Sequence, residues 1–88
     1  MAKKNYGVLI FEEAANELAT FAGLWLKRNK GFSYFYATAI DPNGAYFHMT
    51  LEDKRPEGMT SEFELQIPHA YVKAVLYAAD LKSLGFVV

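Results

Sequence analysis

The sequence predicts an α+β fold, a two-layer sandwich in the order helix, strand, strand, strand, helix, and three features predict it. Apolar residues recur at spacings of three and four from Phe11 to Lys30 and again from His69 to Leu84, the period of a helix with one buried face. Between these stretches, three segments alternate with the period of two expected of strands. The tetrapeptide Asp41-Pro42-Asn43-Gly44 separates the first two of them with strong turn chemistry. With 88 residues, 52% of them hydrophobic, the chain is expected to form one small domain spanning 1–88 around a single core.

The first helix rests on Phe11, Ala14, Ala15, Leu18, Phe21, Ala22 and Trp25. Glu12 and Glu13 would sit at its positive end and Lys27, Arg28 and Lys30 at its negative end, with Gly31 as a left-handed stop. Ahead of it, Tyr6 to Ile10 reads as a short strand or an extended arm.

Phe32 to Ile40 and Ala45 to Glu52 form a predicted hairpin, with Gly44 supplying the left-handed residue of its loop. If Asp41 pairs with Ala45, Ile40 meets Tyr46, Ala39 meets Phe47 and Thr38 meets His48. One face then carries Phe35, Ala37, Ala39, Phe47, Met49 and Leu51; the other carries Phe32, Tyr34, Tyr36, Thr38, Ile40, Tyr46, His48, Thr50 and Glu52. Asp53 to Thr60 reads as a loop, and Ser61 to Ile67 as the third antiparallel strand, with Phe63, Leu65 and Ile67 pointing one way and Glu62, Glu64 and Gln66 the other.

Pro68 suits the start of a second helix, which rests on Tyr71, Ala74, Val75, Ala78 and Leu81 and stops at Gly85-Phe86; Val87-Val88 could add a short C-terminal strand. Both helices are expected on the Phe35, Met49 and Leu65 face. This order of elements is similar to that of double-stranded-RNA-binding domains, but the likeness ends there. Their second helix opens on lysines, and Pro68 to Val72 holds none.

The absence of cysteine excludes disulfides, thiolate metal sites and thiol nucleophiles, and a net charge of −1 provides no overall attraction to phosphate. With only His48 and His69 as histidines, and no phosphate-binding glycine loop or nucleophile elbow, the sequence predicts a non-enzymatic chain without cofactor or metal. The apolar stretch Val8 to Phe11 is too short for a signal-peptide core, so a cytoplasmic location without membrane association is the expectation. Lys27, Arg28, Lys30, Lys54 and Arg55 are the candidate nucleic-acid contacts.

The feature that stands out is the outer sheet face. Phe32, Tyr34, Tyr36, Tyr46 and His48 would form an aromatic patch flanked by Glu62 and Glu64, a composition suited to an interface. Residues 31–67 hold six acidic and two basic residues, so the sheet is the acidic part of the chain. The reading is a small interaction module that binds a protein partner, such as a basic or nucleic-acid-binding protein met in the manner of an inhibitor, or a second copy of itself. The alternative is stacking of single-stranded nucleic acid on the aromatics, which the neighbouring carboxylates oppose.

Overall fold

The computed structural model describes residues 5–29, 31–54 and 60–78. Their order is β1 (Asn5–Ile10), α1 (Glu12–Ala22), β2 (Leu26–Asn29), β3 (Phe32–Ala37), β4 (Ala39–Asp41), β5 (Phe47–Lys54), β6 (Thr60–Ile67), a 3-10 turn (His69–Tyr71) and β7 (Val72–Ala78). The strands form two antiparallel sheets, one ordered β2-β3-β1-β7 and the other β4-β5-β6. The helix–strand–strand–strand–helix sandwich is therefore incorrect: among the described residues the protein is mostly β, with a single α-helix.

The run from Val8 to Ile10 is apolar because β1 is interior to its sheet and is buried on both sides. Val8 and Ile10 enter the main core, while Leu9 packs with Tyr34 on the opposite side. Of the short strand and the extended arm that the sequence allows, the strand is the one formed, and it is central to its sheet. Phe11 follows in extended conformation; its N–H donates to the Tyr71 carbonyl and its carbonyl accepts the first helical bond from Ala15. Helix α1 then buries Ala14, Ala15, Leu18 and Ala22 of the face that the periodicity marks, while Phe11 and Phe21, assigned to the same face, are exposed.

The helix ends at Ala22 rather than Lys30. Trp25 turns toward β6 and meets Phe63 edge-on with ring centroids 4.7 Å apart, and Leu26 to Asn29 pair with Phe35 to Phe32. Lys27 and Arg28 consequently lie on an edge strand, not at a helix C-terminus. The second predicted helix is also replaced. After the short 3-10 turn, Val72–Ala78 pairs with β1, with a register irregularity at Leu9/Ile10. The rest of that predicted helix, its Gly85-Phe86 stop and the Val87-Val88 strand lie outside the described residues.

Of the predicted hairpin, Ala39–Asp41 pairs with β5 in a shifted register, while Phe32–Ala37 pairs instead with β1 and β2. Ile40 pairs with Met49 instead of Tyr46, and Asp41 with His48. The three-residue shift comes from the longer connection, Pro42 to Phe47, between Asp41 and His48, and the other end of the short ladder carries a bulge. Thr38 donates its N–H to the Thr50 carbonyl at 2.9 Å although Ala39 is the partner of Thr50, so two residues oppose one. The bulge reverses the alternation: Phe35 and Ala37 face the core before it, and Ile40 faces it afterwards. It also moves the chain from the first sheet, where Ala37 pairs with Tyr6, to the second, where Ala39 pairs with Thr50.

The connection from Asp41 to His48 is held by Asp41, whose Oδ1 accepts the Asn43 N–H at 3.0 Å. Gly44 is not left-handed as predicted; Gly31, with φ of 82°, is the described glycine with a positive φ. The inner faces of both sheets and the apolar face of α1 enclose one core, in which Phe35, Met49, Leu51, Ile67 and Val8 are almost fully buried. Of the predicted inward positions, Phe35, Ala37, Phe47, Met49 and Leu51 are among its members, whereas Ala39 is exposed and Ile40, predicted outward, packs against the core.

Candidate functional site

The second sheet presents a polar outer face whose arrangement follows from its register. Three rows cross the strands: Asp41, His48 and Gln66; Ala39, Thr50 and Glu64; then Glu52 opposite Glu62. Because side chains alternate, the partners of these residues in the same strands, Met49, Leu51 and Ile67, fill the core while Glu62, Glu64 and Gln66 are exposed. Positions 39–53 and 61–67 contain no lysine or arginine.

Neighbouring strands lie about 4.8 Å apart and alternate residues about 6.7 Å apart, so the carboxylates share a small area. Within it, the His48 Nδ1 lies 3.1 Å from the Glu64 Oε1, so the proton on that nitrogen is directed at the carboxylate. Tyr46, half exposed, stands at the entrance to β5. The loop before it is pinned by His69, whose Nε2 lies 2.8 Å from the Gly44 carbonyl and whose ring meets Phe47 edge-on. His69 thus anchors a loop.

The predicted aromatic patch is divided. Tyr46, His48, Glu62 and Glu64 belong to the second sheet, whereas Phe32, Tyr34 and Tyr36 lie on β3 in the first. Tyr34 is fully buried and packs with Leu9, and Tyr36 and Leu76 adjoin them. Phe32 remains exposed, with the Lys73 Nζ 5.4 Å from its ring centroid. The bulge at Thr38 separates the two groups, and the sequence pattern on either side of it contains no mark of the break.

The predicted basic cluster is not assembled either. The Arg28 guanidinium lies 2.6 Å from the Glu12 carboxylate and 3.3 Å from the Asn16 Oδ1, so it ties β2 to α1. Hydrogen bonding by Arg28, with a further bond from the Ser33 hydroxyl, holds the Glu12 carboxyl below its ordinary range. Lys27 lies opposite Tyr34, Lys54 ends β5, and Lys30 and Arg55 lie outside the described residues.

One feature escaped the sequence reading. A cleft of about 560 Å³ opens beside the start of α1, lined by Phe11, Glu12, Glu13, Ala14, Glu17, Ala70 and Tyr71. The Tyr71 hydroxyl donates to the Glu17 Oε2 at 2.9 Å, and this bond to a carboxylate raises the Tyr71 pKa above its usual value. Its signal was hidden because Tyr71 fitted the apolar face of the expected second helix.

Among the described residues no group of three or more His, Asp or Glu is placed to hold a metal ion, and no helix is long and apolar enough to cross a membrane. No family model, curated protein or solved structure matches the chain.

Proposed function

We propose that this protein is a non-enzymatic interaction module that binds a basic protein partner through the outer face of its second sheet. The observation that carries the reading is the convergence of Glu52, Glu62 and Glu64 on adjacent strands, with Asp41 on the third and a single lysine, Lys54 at the end of β5, in those strands. Carboxylates on such a face speed encounter with a positive surface and select against acidic partners. Tyr46, half exposed before β5, supplies apolar contact area at the loop end of the sheet. The same charges repel a second copy and repel phosphate, and the burial of Tyr34 removes the centre of the stacking platform that single-stranded nucleic acid would use.

The test is binding of labelled polylysine and of a labelled oligothymidine to the wild type, to Glu62→Lys/Glu64→Lys and to Glu13→Lys/Glu17→Lys. Polylysine should bind the wild type, weaken at least about tenfold at low salt with the first double variant, and change little with the second. Equal weakening by both would show that the interaction follows total charge rather than this face. Tight oligothymidine binding by the wild type would overturn the reading.

A further inference from the structure

We propose that β6 is a receptor edge, to which an extended segment of the basic partner adds antiparallel as a fourth strand of the second sheet. The inference rests on the reading above and specifies its mode. β6 spans eight residues at the end of the order β4-β5-β6, and among the described residues no strand pairs with its other side. The directions of its backbone groups follow from the bulge. The Thr50 carbonyl accepts the Thr38 N–H, so it points toward β4 and away from β6. A strand residue directs its N–H and C=O to the same side, so Thr50 and its partner Glu64 form a non-hydrogen-bonded pair. The N–H and C=O of Glu64 therefore point away from β5, and by alternation so do those of Glu62 and Gln66.

The side chains along this edge define the occupant. Glu62 and Glu64 are exposed on the outer face, while Phe63 and Leu65 face the core side yet remain only half buried, unlike Ile67 at 1% exposure. A strand added to β6 would place residues directly opposite Glu62 and Glu64 on the carboxylate side and the intervening residues beside Phe63 and Leu65. The complementary segment alternates lysine or arginine with apolar, β-branched residues. A second copy of β6 does not fit, because antiparallel self-pairing sets Glu62 and Glu64 against their own equivalents.

A synthetic peptide of alternating lysine and valine, as long as β6, tests this in two N-methylated forms. Residues opposite Glu62 and Glu64 turn their N–H groups toward β6, so methylation of every lysine nitrogen should weaken binding by more than about tenfold, whereas methylation of the valine nitrogens should be tolerated. On the protein side, Gln66→Pro deletes one outward N–H without altering charge and should weaken the unmodified peptide several-fold, with circular dichroism confirming the fold.

No binding of the unmodified peptide, or equal binding of both methylated forms, would overturn strand addition. If both methylated forms bind equally and Glu62→Lys/Glu64→Lys still abolishes binding, the acidic-face reading stands and only the mode falls. If that double variant also leaves peptide and polylysine binding unchanged, both readings fall.

Discussion

Replacing Gly31 and Gly44 separately by alanine distinguishes the turn chemistry of the structure from that suggested by sequence. Gly31 closes the connection between Asn29 and its partner Phe32 with φ of 82°. A Cβ built there meets no atom within 4 Å, so the cost of Gly31→Ala is conformational rather than steric. An L-residue in the left-handed region costs about 1–2 kcal/mol, and the stiffer unfolded chain returns part of that, leaving about 1 kcal/mol of destabilisation.

At Gly44 the backbone is not left-handed, and the nearest atom to an added Cβ is the Tyr46 carbonyl oxygen at 3.5 Å, an ordinary contact. Gly44→Ala should therefore be neutral or stabilise by about 0.5 kcal/mol through the unfolded state. Urea unfolding should show Gly31→Ala with a lower midpoint at unchanged slope, and a melting temperature roughly 4–8 °C below wild type. Gly31→Asn should lose less than Gly31→Ala, since asparagine tolerates this region better. Equal losses at Gly31 and Gly44, or a loss confined to Gly44, would refute the assignment and restore the shorter hairpin loop.

Three further outcomes follow from burial and charge. Met49→Asp, at a position 1% exposed, should cost more than about 4 kcal/mol by thermal or chemical melting, whereas Thr50→Asp on the outer face should stay within about 1 kcal/mol. Tyr34→Ala should cost about 3–5 kcal/mol because the ring is fully buried, while Tyr46→Ala, half exposed, should be nearly silent in the same denaturation assay. Glu12 has a folded pKa below its ordinary 4.5, chiefly through hydrogen bonding by Arg28, so its contribution is complete above 4.5 and fades as pH falls through the lower folded value. The stability advantage of wild type over Arg28→Met should accordingly hold at neutral pH and shrink under acid; an advantage independent of pH would assign the effect to packing of the arginine stem.

The inward positions Phe35, Ala37, Phe47, Met49 and Leu51, the outward set Glu62, Glu64 and Gln66, and the buried Ala14, Ala15, Leu18 and Ala22 were readable from the sequence, whereas Ala39, Phe11 and Phe21, assigned to the same apolar faces, are exposed. Periodicity records which side of an element avoids water, whatever that element packs against. The acidic half of the candidate site was legible for the same reason. Three decisions were not local. Leu26 to Asn29 and Val72 to Ala78 each carry spacing compatible with a helix, but β3 and β1 have backbone donors and acceptors on their open sides that only another strand can satisfy. The two segments therefore become strands, and the expected helices shorten or vanish.

The third decision is the bulge at Thr38. It places one extra residue opposite Thr50, reverses the alternation and carries the chain from one sheet to the other. Composition alone is compatible with an unbroken strand there. Tertiary pairing thus buried Tyr34 and set the aromatics of β3 apart from the carboxylates of β5 and β6, because register depends on hydrogen bonds made between distant parts of the chain.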